Sequence, residues 1–119
     1  MPRKSADERI REMRFGFVYP LYVDKVVKKG RTEDELLQVI RWLTGYTKAS
    51  VRKHVEKGST FEAFFASAKL NPDAHKVTGV VCGVRVEDIE NPLTKQARYL
   101  DKLVDELARG KKLASILRS

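Results

Sequence analysis

One cysteine, two histidines, four prolines and seven glycines stand in a chain of 119 residues, and no apolar run approaches the ~20 residues that a membrane-spanning helix requires. Each scarcity excludes something. A single thiol, Cys82, cannot close an internal disulfide or supply a multi-cysteine zinc site. Its apolar neighbours predict a core thiol rather than a reactive one. His54 and His75 lie far apart and in no His-x-x-x-His, His-Glu or Cys-x-x-Cys spacing. Nucleophilic and acid–base catalysis need convergent pairs, and metal sites need three or four ligands, so both histidines read as surface or structural groups. The reading calls for no cofactor and no metal, and an enzyme is the least favoured class. The scarcity of glycine and proline beside 42% apolar residues argues against disorder. The first ten residues hold neither the apolar segment nor the cleavage site of a secretory signal, which predicts a cytoplasmic protein with no membrane association.

Positive charge is what the chain has in excess, with a net +8. It is concentrated in the first half. Residues 1–57 hold 14 Lys/Arg against 8 Asp/Glu, whereas residues 58–119 hold 10 against 8. Arg109, Lys111, Lys112 and Arg118 form a second basic group at the end. A basic balance points to nucleic acid, another polyanion or an acidic protein as partner. The plainer alternative is a basic surface that keeps the protein soluble.

Helix signals recur along the chain. Ser5 with Glu8 forms a candidate capping box in a basic arm, residues 1–13, expected to be mobile. Pro20 suits a first helical position, with Tyr19, Tyr22, Val23 and Val26 on one face before Lys28, Lys29 and Gly30 end the helix. Thr32 and Glu35 make a capping box, followed by the stripe Leu36, Val39, Ile40 and Leu43 and a stop at Gly45. Thr47 caps a basic helix running to Gly58, and Thr60 a short one with Phe61, Phe64, Phe65 and Ala68 on one face. Asn91-Pro92 starts a long helix through Leu93, Ala97, Leu100, Leu103, Val104 and Leu107 to Gly110. Lys102 with Glu106 and Asp105 with Arg109 are its four-apart charge pairs. Leu113, Ile116 and Leu117 mark a last short helix.

Val77–Val86 fits two structures. As a strand it lines Thr78, Val80, Cys82, Val84 and Val86 on one face; as a helix it stripes Val77, Val80, Val81 and Val84. A start at Asn71-Pro72 and a stop at Gly83 favour the helix. The acidic run Glu87, Asp88 and Glu90 is accounted for by the helix N-terminus that follows. The expected fold is therefore all-α, a compact single domain over residues 14–119 with about six helices. Its core is drawn from Tyr22, Val26, Leu36, Ile40, Leu43, Phe61, Phe64, Phe65, Val80, Val81, Leu100, Leu103 and Leu107. The fallback is α+β with one short strand near residues 77–86.

The sharpest functional pattern is a partial helix-turn-helix between Thr32 and Lys57. Ile40, Gly45 and Val51 suit that motif, whereas Arg41 and His54 stand where small and apolar residues are preferred. Its second helix would present Lys48, Arg52, Lys53 and Lys57 to a polyanion, through phosphate contacts that give affinity without sequence choice. A helical hairpin with a solvated basic face is the alternative. Trp42 and Tyr46, four apart, form a candidate partner patch, with core packing the competing reading. Self-association through Tyr19, Trp42 and Tyr46 is the alternative functional class.

Four segments carry a resemblance. Val-Tyr-Pro-Leu-Tyr-Val (18–23), Arg-Trp-Leu-Thr-Gly-Tyr (41–46), Gly-Val-Val-Cys-Gly-Val-Arg-Val-Glu-Asp-Ile (79–89) and Tyr-Leu-Asp-Lys-Leu-Val-Asp-Glu-Leu (99–107) occur in the order of a small bacterial family. The chain from Arg14 to Arg118 resembles the family known as domain of unknown function 2200. The resemblance implies a soluble bacterial single-domain protein, and it supplies no catalytic residue.

Overall fold

The computed structural model describes residues 6–117. Ser5, and with it the capping-box expectation, lies outside them, as does Arg118. The described chain forms α1 (Ala6–Glu12), α2 (Phe15–Val27), α3 (Glu33–Thr44), α4 (Lys48–Lys57), α5 (Phe61–Ala66), a two-stranded antiparallel hairpin of β1 (Val80–Val81) and β2 (Val84–Arg85), α6 (Pro92–Ala108) and α7 (Leu113–Ile116). Short 3-10 helices at Pro72–Lys76 and Val86–Asp88 flank the hairpin. The protein is mainly α with one small sheet.

The caps form as their sequences require. Thr32 and Glu35 close a reciprocal capping box, and Gly45 ends α3 in the left-handed conformation at φ 72°. Thr47, Thr60 and Asn91 accept from the backbone N–H three residues on, opening α4, α5 and α6. Pro20 departs from expectation. It lies inside α2, because the helix begins five residues earlier, where the Phe15 N–H bonds to Ser59 O at 2.7 Å. Proline there has no N–H to give to the Gly16 carbonyl, so α2 carries one gap in its hydrogen-bond ladder.

α6 is the axis of the molecule. Leu100, Leu103 and Leu107 are fully buried, and α1, α2, α3, α5, β1 and α7 all pack against the helix. Phe15 stacks on Phe64 at 4.0 Å between ring centres, which joins α2 to α5 within the same core. Polar contacts fix the edges: Tyr22 donates to Asp101, and Thr94 donates to Asp7 at 2.6 Å. Of the expected core residues all are buried except Val80, which is 52% exposed.

Residues 77–86 are a hairpin, not the favoured helix. Val81 pairs with Val84 across the two-residue turn Cys82-Gly83, and both turn residues have positive φ, 51° and 77°. Two positive φ values define a type I′ turn, whose twist matches that of paired strands. The β-branched valines favour the extended form that the turn permits. Asn71-Pro72 opens only the five-residue 3-10 helix. The side chains also fall differently from the strand expectation, with Val81 and Val86 inward and Val80 and Val84 outward. Cys82, expected in the core, is exposed at the turn. Glu87 serves the hairpin: it accepts from the Gly79 N–H at 3.0 Å, and the bonds from its own and the Gly79 backbone hold its carboxyl below the usual range. Lys102 donates to Val80 O at 3.3 Å, and buried Glu106 meets Lys111 at 3.7 Å, while the Asp105–Arg109 pair forms as expected at 2.9 Å.

Two stability outcomes follow from these positions. A Cβ on Gly16 would lie 2.6 Å from Val55 O, so Gly16→Ala must separate α2 from α4. A loss of about 1–3 kcal/mol is expected in urea unfolding; unchanged stability would refute the close approach. Cys82→Asn places the favoured Asn-Gly pair in the type I′ turn, and a gain of about 0.5–1 kcal/mol is expected by the same measurement.

Candidate functional site

α3 and α4 form a helical hairpin through Gly45, Tyr46 and Thr47. Val51 is fully buried, and Gly16 lets α2 lie against the far end of α4 at Val55. The buried side of α4 is thereby fixed, and Arg52, Lys53 and Lys57 are left exposed on its outer face. None of these three has an ion-pair partner among the described residues, and Glu56 is the one carboxylate on the same helix. Lys48 differs. It is half-buried and ion-paired with Asp34 in the first turn of α3. Lys48 and Gln38 hold the Asp34 carboxyl below its ordinary value. The four cations expected on this helix therefore divide into one structural brace and three available charges.

Trp42 and Tyr46 pack against the core. The Trp42 carbonyl accepts from Asn71 Nδ2 at 3.1 Å, and the Tyr46 hydroxyl donates to Phe64 O at 2.6 Å. The Tyr46 ring lies 5.0 Å from His54 and 5.1 Å from Phe64. Tyr19 is buried and donates to Glu33 at 2.6 Å, and burial followed by that contact pushes its phenol well up. These aromatics brace α2, α3, α4 and α5. The large apolar side chains at the surface are others, chiefly Phe17 and Leu21 on α2, of which Phe17 lies ahead of the helix start expected at Pro20.

His54 Nδ1 and Ser59 Oγ share a hydrogen bond of 2.8 Å, the contact a nucleophile makes with its base. The ring is otherwise enclosed by Tyr46 and Phe64, and no carboxylate orients it among the described residues. The pair closes the turn from α4 into α5. His75 Nδ1 donates to Pro72 O at 2.8 Å within its own short helix. A concavity of about 500 Å³ lies between the ends of α2 and α6, lined by Lys25, Lys29, Asp105 and Arg109, and one of about 210 Å³ runs beside Arg14, Phe17, Val55 and Lys57. Both are rimmed by cations. No group of three or more potential metal ligands occurs among the described residues, and no described helix is long and apolar enough to cross a membrane.

A small helical protein with a basic outer helix is the class these features define. The chain belongs to the family described as an uncharacterized protein conserved in bacteria (DUF2200), whose model matches residues 9–118, reaching five residues ahead of Arg14 into the basic arm. A solved crystal structure of an uncharacterized protein, SP1917, is similar to it at 37% identity and a TM-score of 0.87, covering 96% of this chain and 94% of that one. No curated protein matches the chain.

Burial, and then Lys57, hold the His54 imidazole below the 6.5 of a free ring. A group whose folded pKa is depressed supports stability above its unfolded pKa and withdraws it as pH falls through the folded one. Asp34, Glu35 and Glu87, also depressed, act in the carboxylate range below that window. The melting temperature is therefore expected to fall between about pH 7 and 5, and His54→Gln to flatten that fall. Parallel profiles for the two proteins would remove His54 from the account.

Proposed function

We propose that the protein is a small polyanion-binding module, with nucleic acid as the partner and α4 as the contact helix. One observation carries the reading: Arg52, Lys53 and Lys57 stand exposed and without ion-pair partners on one face of a helix whose opposite face is locked into the core. Ala49 lies on that outer face and leaves room for close approach of a backbone. Cations held on a rigid helix meet phosphates with less ordering cost than cations on a loop, and each contact releases condensed counterions. Such contacts read charge, not base sequence. The net charge of +8 adds long-range attraction.

The test is fluorescence anisotropy with a labelled generic duplex over a salt series. Binding is expected to weaken steeply with salt. Replacing Arg52, Lys53 and Lys57 together by alanine is expected to lower affinity at least tenfold at low salt and to flatten the log–log salt slope by about three contacts, near 0.9 each. Absence of binding at low salt, or a triple variant with the wild-type slope, would overturn the reading. Retained affinity for an acidic protein alone would assign the same face to a protein partner.

A further inference from the structure

α2 holds only two charged residues, Asp24 and Lys25, in 13 positions. Phe15, Tyr19, Tyr22 and Val26 turn into the core. Its outer side is nevertheless apolar: Phe17 is 73% exposed, Leu21 64% and Val27 53%, beside exposed Pro20. A helix that is apolar all round is ordinarily a buried one, and large apolar side chains gathered at a surface mark a contact face. The same stripe has a charge pattern. Arg14, Phe17, Leu21, Asp24 and Lys28 follow one another at intervals of three, four, three and four residues, all exposed, which is the spacing of a seam between paired helices.

We infer that this seam pairs antiparallel with the same seam of a second copy of the chain. The charges select the orientation and the register. With Phe17 set against the second copy's Leu21 across a twofold axis, Arg14 meets the second copy's Asp24, and the symmetry makes each contact twice. Sliding the helices so that Leu21 meets Leu21 would place Arg14 against Lys28, two like-charged contacts. A parallel pairing would put Arg14, Asp24 and Lys28 each against its own kind. Of the three, only the first joins apolar to apolar and sets Arg14 against Asp24, leaving Lys28 beyond the charged pairs. A pattern complementary to itself is what a twofold contact requires, and this makes a second copy the occupant. The seam is short beside the ~800 Å² per partner of a standard interface, so the dimer is expected to dissociate in the micromolar range. Each copy carries +8, so added salt relieves the repulsion and strengthens dimerisation, opposite in sign to polyanion binding.

Sedimentation velocity on the purified protein alone, with no polyanion, tests the inference separately from the role of α4. A monomer–dimer equilibrium at tens to hundreds of micromolar is expected, shifting towards dimer with salt. Phe17→Glu, Arg14→Glu and Asp24→Arg should each abolish it. An equimolar mixture of the Arg14→Glu and Asp24→Arg proteins should restore dimers, because each introduced charge then faces its opposite. A wild-type monomer at hundreds of micromolar, dimers that survive Phe17→Glu, or a folded mixture that stays monomeric would overturn the pairing. Arg14 also donates to Gly58 O at 2.8 Å, so its variant must be checked by circular dichroism. Should that variant unfold, Lys28→Glu at high salt decides instead: unchanged dimerisation supports the register, and a tenfold gain assigns the shifted one.

Discussion

The burial of one face of α6 is the constraint on which the rest of the structure depends. Leu100, Leu103 and Leu107 have no exposed surface, and α1, α2, α3, α5, α7, β1 and the 3-10 helix Val86–Asp88 are arranged around that helix. A chain of 119 residues has room for one continuous core, and the apolar stripe of the 17-residue α6 organises it. Beside the stripe, Asp101 and Asp105 receive Tyr22 and Lys25 from α2, and Lys102 reaches the hairpin at Val80. The polar edges set where each neighbour lies along the helix. The leucines supply the stabilisation that keeps those neighbours there.

The candidate contact helix is a consequence of that arrangement at one remove. α6 holds α2, and α2 has a glycine where α4 must come close, so α4 is seated with Val51 inward and Arg52, Lys53 and Lys57 outward. A basic helix in isolation would be a weak and mobile charge array. Here Thr47 and Gly58 cap its ends, and Tyr46, His54, Ser59 and Phe64 brace the turns on either side. The aromatic and imidazole groups that could have suggested chemistry hold a charged surface in position.

α2 faces two ways, with Phe15 and Tyr22 towards α6 and Phe17 and Leu21 towards solvent. The inner half belongs to the fold, and the outer half is the face proposed for association. Polyanion binding and self-pairing would use adjoining surfaces, since Arg14 and Phe17 line one concavity with Lys57, and their opposite responses to salt would keep them separable in solution.

Much of the helical framework was legible from residue order. Thr32 with Glu35, Thr47, Thr60 and Asn91 cap helices through hydrogen bonds that span three residues, and Leu36, Ile40 and Leu43 or Leu100, Leu103 and Leu107 share faces through the helical repeat. Those interactions are local, so the sequence by itself determined them, along with the basic character of α4. What only the tertiary structure decided are features whose partners lie far along the chain. The Val77–Val86 segment carried local signals for both structures and favoured the helix, whereas a glutamate eight residues from Gly79 and a lysine from α6 hold the hairpin. α2 began at Phe15 because Ser59 O receives its first N–H across 44 residues. Lys48 was set apart from Arg52, Lys53 and Lys57 because Asp34 came within reach of it and of no other cation on that helix. The apolar stripe of α2 was written in the sequence, but which half of it the core would leave exposed depended on where α3, α4 and α6 packed.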